Sequence, residues 1–323
     1  MDIVCLGELL IDMFPAEMGR GLAEVSAFRP VPGGAPANVA VAAARLGLAS
    51  AFIGKVGDDA FGHHLSQVLA REGVNVEGMR HDREARTTVN FLAQPDAHSA
   101  EMLFYRYADM FLQPEELDAG LLAATRALHF GSLSLTQEPI RSAAIAAARR
   151  ARAGGALISF DANYRPSLWP SPEAARGAMR EVIPQVDVLK VNEGELALLT
   201  GTRKPAAGSL ALLERGPALV VVTLGPEGSF FRSAAGGGAV PGFAVETVDA
   251  TGCGDAFVAG LLVGLLAEGE WRTQLTPERL RGVLRYANAV GALTALRVGV
   301  IPALPYREQV VTFLQQEETT THG

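Results

Sequence analysis

The chain has 323 residues, enough for two ordinary domains or one large α/β unit, and its hydrophobic fraction of 49% excludes a disordered protein. Lys and Arg number 28 against 35 Asp and Glu, and the net charge of −7 argues against a nucleic-acid or anionic-membrane partner. Cys5 and Cys253 lack the spacing of a disulfide framework or a zinc site. The N-terminus has no basic leader and no apolar run could span a bilayer, so we expect a cytoplasmic protein without a membrane partner.

Short apolar segments alternate with helical patterns along most of the chain. The predicted strands are residues 2–6, 51–56, 128–131, 157–160, 186–191, 219–223 and 244–248. The predicted helices are residues 36–46, 62–72, 138–153, 172–182, 193–200, 255–267, 277–295 and 306–315. Continuously apolar strands that alternate with helices predict an α/β fold with a mostly parallel sheet covered on both faces.

Two segments break this alternation. Residues 14–32 are rich in turn formers, and residues 87–92 and 101–107 have β patterns joined by a polar turn. A small sheet that projects from the main body would explain both segments. Such a sheet either covers a ligand or is a surface excursion without a role.

The common nucleotide-binding motifs are absent. The only Gly-Lys pair is followed by Val56, which excludes a P-loop, and no GxGxxG follows the first strand. The nearest match, Gly252-Cys253-Gly254, has Phe257 at the third glycine position.

That near match is nevertheless the most informative stretch. A glycine loop at the start of a helix is an anion site, because the first-turn amides have no partner and the helix dipole adds positive potential. Asp255 would repel a phosphate, unless it accepts a proton from the hydroxyl that attacks the phosphorus. With an ordinary pKa this carboxylate is ionised at pH 7. The alternative is that Asp255 only caps its helix.

A second glycine pair precedes the first predicted helix. Gly33 and Gly34 permit a close approach to the helix start, and Pro36 suits its first turn. Asn38 offers a donor and an acceptor, as a sugar hydroxyl requires. The alternative is an ordinary glycine turn.

Polar residues also follow predicted strands. They are Asp12, Arg106, Arg165, Asn192, Glu195, Thr223, Gly225 and Gly228. Glu195 could hold Mg²⁺ through water, since Mg²⁺ keeps most of its hydration shell. Taken singly, each of these residues is equally explained by a helix cap, a surface ion pair or a turn.

Together these clusters resemble the ribokinase-like, or PfkB-type, sugar kinase family, almost from end to end. Two long motifs carry the resemblance, GGAPANVAVAAARLGLASAFIGKVGDDAFG at 33–62 and DATGCGDAFVAG at 249–260. LHFGSLSL at 128–135, DANYRPSLWPS at 161–171 and YANAVGALTA at 286–295 are most similar to the fructokinase branch.

The resemblance implies a three-layer α/β/α ribokinase-like fold with a mostly parallel central sheet and a small β-sheet lid. Residues 1–10, 33–85 and 113–323 would form the core that binds ATP and sugar. Residues 11–32 and 86–112 would form the lid over the sugar, and relatives with such lids often pair them in a homodimer.

The resemblance also implies roles, together with ATP, Mg²⁺ and an activating K⁺. Asp255 would be the base, with an anion hole at Gly252, Cys253 and Gly254. The sugar would contact Asp12, Gly33, Gly34, Asn38, Arg106 and Arg165. ATP would contact Lys190, Asn192, Thr223, Gly225, Gly228 and Asn288, and Glu195 would hold Mg²⁺ through water. K⁺ would lie at Asp249 and Thr251, with carbonyls of Ala295, Val298 and Val300.

Three positions depart from the family pattern. Ala250 stands where the family usually has Thr, and Cys253 where Ala is commoner. One residue separates Arg106 from Ala108, where fructokinases have about three.

The expected reaction is transfer of the γ-phosphoryl group of ATP to D-fructose, giving fructose 6-phosphate. One alternative is a 2-keto-3-deoxygluconate kinase, in which Arg106 and Arg165 would bind the substrate carboxylate. A ribose or nucleoside kinase and a non-catalytic sugar-binding homologue are the others.

Overall fold

The computed structural model describes residues 1–17, 19–93, 95 and 101–321. Its strands are β1 Ile3–Leu6, β2 Leu10–Pro15, β3 Phe28–Gly33, β4 Ser50–Gly57, β5 Met79–Asp82, β6 Val89–Ala93, β7 Glu101–Tyr105, β8 Ala127–Gly131, β9 Leu157–Asp161, β10 Val188–Asn192, β11 Leu219–Thr223, β12 Gly228–Ser233 and β13 Gly236–Pro241. Its α-helices are α1 Ala35–Arg45, α2 Ala60–Arg71, α3 Ala119–Ala124, α4 Ile140–Ala153, α5 Pro172–Val182, α6 Glu193–Thr200, α7 Pro205–Leu213, α8 Cys253–Leu266, α9 Pro277–Thr294 and α10 Arg307–Thr321.

Nine strands form one large sheet in the order β13-β12-β11-β10-β9-β8-β1-β4-β5. Every pairing from β11 to β5 is parallel, whereas β12 and β13 run antiparallel at one edge. Successive residues of β1 enter opposite cores, Ile3 and Cys5 on one face and Val4 and Leu6 on the other. Helices α1, α2, α8, α9 and α10 supply residues to the first core, and α3 to α7 supply the second. The mostly parallel sheet covered on both faces is therefore confirmed.

A separate four-stranded sheet has the order β3-β2-β6-β7, and we call it the lid sheet. Strands β2 and β6 are parallel neighbours, and each also pairs antiparallel with an outer strand. The predicted small sheet thus forms. The polar turn predicted between its last two strands falls largely on residues 94 and 96–100, which lie outside the described residues.

The domain boundaries remain a prediction. The four strands of the lid sheet begin or end close to the limits expected for residues 11–32 and 86–112. Residues 18, 94 and 96–100 of the lid segments and residues 322–323 of the core segment lie outside the described part of the chain.

The strand predicted at residues 244–248 is wrong. This segment is a loop in which the amide of Val248 donates to the carbonyl of Ala295 at 2.8 Å, and the Val248 side chain is 57% exposed. Because the Val248 side chain stays exposed, placing it in a strand would bury little apolar surface and stabilise the sheet little. The edge of the sheet is instead formed by β13, whose run of glycines has little strand propensity in sequence.

Candidate active site

The amino ends of α1 and α8 meet through a side-chain hydrogen bond. Asn38, in the first turn of α1, donates from Nδ2 to Oδ2 of Asp255, in the first turn of α8, at 2.8 Å. The two residues are 217 positions apart in sequence. This contact joins the two glycine motifs that the sequence singled out.

The turn before α1 requires both of its glycines. Gly34 has a φ of 110°, and a Cβ there would lie 2.4 Å from the carbonyl oxygen of Glu8. A Cβ on Gly33 would lie 1.9 Å from Oδ2 of Asp12. The glycine pair therefore brings the backbone against Asp12 and directs the start of α1 towards Asp255.

The loop before α8 has the form of an anion cradle. Gly252 is the N-cap residue in the left-handed region, with φ 78°, and no side chain of the described chain caps the helix. A Cβ on Gly252 would lie 2.3 Å from Cγ1 of Val300, so this loop too depends on glycine. The amide of Cys253 donates to the carbonyl of Ala250 at 3.3 Å, a long bond that an anion would have to displace. The dipole of the 14-residue helix and its lack of a side-chain cap favour an anion at this end.

The buried position of Asp255 raises the pKa of its carboxyl group. Burial of the carboxyl and the nearby Asp161 carboxylate bring the pKa to about 6, although the bond from Asn38 and the charges of Arg165 and Lys190 oppose the shift. The ordinary pKa expected from the sequence is therefore wrong, because the helix terminus does not offset the loss of hydration. At pH 7 the carboxylate is still mostly ionised.

Asp12 lies in the same electrostatic field. Burial, with a smaller contribution from Asp255, raises its pKa to about 7, although the bond from Asn90 and the charge of Arg165 oppose the shift. Arg165 is half-buried and donates from Nη1 to the carbonyl of Tyr164 in a long 3.4 Å bond. Its guanidinium therefore faces two carboxylates from the segment that follows β9.

A buried lysine lies beside the loop that forms the anion cradle. Lys190 Nζ pairs with Oδ2 of Asp161 at 3.1 Å, and these residues are partners on neighbouring strands. A Cβ on Gly254 would lie 3.3 Å from this nitrogen. Asp161, Glu195 and Asp255 together raise the pKa of Lys190 against the effect of burial, so the ammonium is retained.

Glu195 and Asn192 form a capping box at the start of α6. The side chain of Asn192 accepts from the amide of Glu195 at 2.8 Å, and Glu195 accepts from the amides of Asn192 and Tyr164 at 2.7 and 2.8 Å. Each carboxylate oxygen keeps a second lone pair. The helix-cap explanation is thus correct for both residues, and the Mg²⁺ role of Glu195 remains a prediction.

The other residues predicted for ATP lie near the carboxyl ends of β10 and β11 and in the adjoining hairpin. Thr223 is the strand partner of Asn192, and Gly225 and Gly228 bound the turn into β12. Asn288, on α9, donates from Nδ2 to the carbonyls of Val240 and Pro241 and so anchors β13.

Arg106 is held by the protein itself. It donates from Nε and Nη2 to Oδ2 of Asp109, and from Nη1 to the carbonyl of Leu133 and to Oγ1 of Thr136 at 3.1 and 2.6 Å. These bonds use four of the five guanidinium N–H groups, which leaves one on Nη2.

The predicted K⁺ loop is closely hydrogen-bonded. Asp249 accepts from the amides of Thr251 and Gly299 at 2.9 and 3.0 Å. The carbonyls of Ala295 and Val300 each accept two backbone amides, and Val298 is 53% exposed. Because a carbonyl oxygen has two lone pairs, K⁺ binding there requires some of these bonds to lengthen, and this site remains a prediction.

Two polar residues of this region were not found from the sequence. Glu8 and Asn90 are both 3% exposed, and Oε2 of Glu8 and Oδ1 of Asn90 have no hydrogen-bond partner among the described residues. The available signal for Asn90 was an amide within an otherwise apolar strand. Among all the residues that the structure describes, no three His, Cys, Asp or Glu side chains lie close enough together to hold a metal ion. No helix among them is long and apolar enough to cross a membrane.

Comparison with known proteins identifies close relatives. The family model described as pfkB family carbohydrate kinase matches residues 1–307. Fructokinase-2 of Zea mays is 46% identical over 306 residues, which cover 94% of this chain and 91% of that protein.

The solved structures similar to this chain include sugar kinases of the same kind. The fructokinase of Xylella fastidiosa with bound ATP has a TM-score of 0.89 and 33% identity, with 98% of this chain and 99% of that one covered. A double mutant of the fructokinase of Vibrio cholerae O395, with fructose, ADP and potassium ion bound, has a TM-score of 0.86 and 33% identity, with 97% and 98% covered. The ribokinase-like fold expected from the two long motifs is confirmed.

Proposed function

Because this chain belongs to the pfkB family of carbohydrate kinases, we propose that it is a fructokinase that phosphorylates the primary hydroxyl at carbon 6 of D-fructose. The observation that carries this proposal is the half-buried carboxylate of Asp255, held by Asn38 at the uncapped start of α8. The fructokinase names of the relatives, at 42% to 46% identity, support the choice of sugar.

In the proposed reaction Asp255 is the general base. It accepts the proton of the sugar hydroxyl as the bond from that oxygen to the γ-phosphorus forms. The bond from the γ-phosphorus to the bridging oxygen breaks, and ADP leaves with the electron pair. The amides of Gly252, Cys253 and Gly254 stabilise the charge on the transferred group, and Lys190 adds a fixed positive charge beside Gly254.

The residues assigned to ATP fit an anionic nucleotide. The uncapped start of α8 and the glycine turn at 225–228 offer backbone amides to phosphate oxygens. The buried ammonium of Lys190 adds a positive charge. Mg²⁺ would neutralise phosphate charge, and the spare lone pairs of Glu195 could hold it through water. Asn38, Asp12, Arg165 and the glycine pair are the proposed sugar contacts.

The bonding of Arg106 favours a neutral sugar over a sugar acid. Recognition of a carboxylate by arginine is strongest when two N–H groups donate in parallel. Arg106 has one N–H group left, because Asp109, Leu133 and Thr136 accept the other four. A single N–H suits a hydroxyl, so a sugar acid would have to rely on Arg165 for a bidentate pair. With the fructokinase names of the relatives, this places 2-keto-3-deoxygluconate second to fructose.

The substrate is tested by measuring ADP release with ATP and Mg²⁺. We expect turnover with D-fructose to exceed that with 2-keto-3-deoxygluconate, D-ribose and adenosine by at least about tenfold in kcat/KM, and product analysis to give fructose 6-phosphate. Preference for the keto-deoxy acid would contradict the choice of sugar and keep the mechanism. The absence of turnover with every acceptor would favour a sugar-binding protein.

The rate should depend on pH through two carboxyls of the site. The pKa values of Asp255 and Asp12 are raised to about 6 and about 7. Asp255 must be ionised to accept the proton, and protonation of Asp12 turns one of its two acceptor oxygens into a donor. We expect kcat/KM to reach a plateau above pH 7 and to fall as the pH drops below it, more steeply than tenfold per unit under pH 6. A single acid limb near pH 4, the ordinary aspartate value, would contradict this prediction.

A further inference from the structure

Asn90 is a buried amide on the lid sheet, and it lies beside a residue assigned to the sugar. It is the strand partner of Asp12 across the parallel pair of β6 and β2. Its Nδ2 donates to Oδ1 of Asp12 at 2.8 Å, and its side chain is almost wholly enclosed, at 3% exposure.

The chemistry of the pair fixes which end of the amide faces Asp12. Above the raised pKa of Asp12 the carboxylate only accepts hydrogen bonds, so the NH₂ group of Asn90 points towards it, as the 2.8 Å contact has it, and the carbonyl Oδ1 points away. That oxygen has no hydrogen-bond partner among the described residues. Buried polar atoms in folded proteins nearly always have a partner, so an oxygen without one is available to accept a hydrogen bond from a bound group or a water.

The oxygen of Asn90 belongs to the edge of the sugar site. Asp12 Oδ2 lies against the glycine pair that precedes α1, and α1 carries Asn38, whose own Oδ1 is also buried with no partner in the described part of the chain. Asn38 in turn holds Asp255. Two unpartnered amide oxygens therefore belong to side chains that hold proposed site carboxylates, Asn90 on the lid sheet holding Asp12 and Asn38 on the core holding Asp255.

We propose that Asn90 determines substrate specificity by accepting, at Oδ1, a hydrogen bond from a sugar hydroxyl other than the one that reacts. The same side chain orients Asp12 through Nδ2, so one residue both contacts the sugar and positions a neighbour that contacts it. The proposal rests on the proposed function only for the identity of the sugar.

A direct contact and a purely positioning role predict different results with modified sugars. 1-Deoxy-, 3-deoxy- and 4-deoxy-D-fructose and 2,5-anhydro-D-mannitol each lack one hydroxyl and keep the one at carbon 6. For the natural protein, removal of the hydroxyl that meets Asn90 should lower kcat/KM about tenfold. For Asn90→Ala the same removal should cost less than about twofold, because the acceptor is already gone.

The expected signature is thus a coupling with one hydroxyl only. Asn90→Ala should raise the KM for fructose about tenfold or more, with a smaller change in kcat. An equal loss with all four analogues, or no coupling with any of them, would overturn the proposal and leave Asn90 as a positioning residue for Asp12.

Two controls keep the test decisive. Asn75→Ala removes an amide that contacts Glu77 at the opposite, amino end of the sheet, and it should leave every kinetic constant unchanged. Asn90→Ser, which keeps a small polar side chain, replaces Asn90→Ala if thermal denaturation shows that the alanine variant does not fold. If the natural protein prefers another sugar, the proposed function fails, and the coupling is measured with the deoxy forms of that sugar.

Discussion

Replacing Asp255 with asparagine is expected to lower kcat about 10³-fold with D-fructose as acceptor, because a positioned general base contributes about 10² to 10⁴ to such a step. The change keeps the shape of the side chain and the oxygen that accepts from Asn38. The KM for fructose should change little. The rate is measured as ADP release at saturating fructose and ATP.

Folding should survive this substitution. Burial raises the pKa of Asp255 to about 6, above the value near 4 of an unfolded chain, so the ionised carboxylate destabilises the fold at pH 7. A neutral amide removes that cost, and the free energy of unfolding should be unchanged or higher. Asp58→Asn, which removes an exposed carboxylate that pairs with His63, is the matched control and should keep full activity. A kcat for Asp255→Asn within tenfold of the natural value would show that this residue is not the base.

Replacing Lys190 with methionine is expected to damage both stability and activity. Lys190 is 6% exposed and neutralises Asp161, so its loss leaves a buried carboxylate unpaired and should lower the free energy of unfolding by about 3–5 kcal/mol. Lys190 also lowers the pKa of Asp255. Its removal should therefore move the acid limb of kcat/KM to higher pH, and kcat should fall because a fixed charge beside Gly254 is lost.

Lys55 offers a closely matched control for this experiment. It is equally buried, at 6% exposure, and pairs with Glu116 at 2.7 Å and Asp82 at 3.5 Å. Lys55→Met should also lower the free energy of unfolding, by less than Lys190→Met because the Asp82 and Glu116 side chains are 19% and 30% exposed, and it should leave the acid limb unmoved. Equal shifts of the limb in both variants would mean that Lys190 acts through stability alone.

Most of the sheet and its helices could be predicted because a run of consecutive apolar residues indicates a strand that is buried on both faces. Strands β1 and β11 are apolar at nearly every position, and each is buried on both faces. Strand β13 was missed because Gly236, Gly237 and Gly238 have little intrinsic preference for a strand. Its place is fixed by pairing with β12 and by Asn288, which donates to two of its carbonyls. Those contacts come from residues distant in sequence.

The glycine loops of the site were predictable for a related reason. At Gly34 and Gly252 the backbone has a positive φ and a close neighbour, so no other residue fits and the letter itself carries the information. Asn90, in a strand, and Glu8, in the loop between β1 and β2, carry no such mark, since a lone polar residue has the same letter whether it faces solvent or a ligand. The raised pKa of Asp255 was likewise hidden, because it depends on the depth of burial and on the distant Asp161.

The bonds of Arg106 also bear on the entropy of substrate binding. Fixing a long side chain at a binding surface costs about 0.5–1.5 kcal/mol of lost rotamer freedom. Arg106 is already fixed by Asp109, Leu133 and Thr136, so this loss occurs once, during folding, rather than at each turnover. A sugar hydroxyl that meets the remaining N–H therefore binds a preorganised donor, and one hydrogen bond can contribute its full net free energy to affinity.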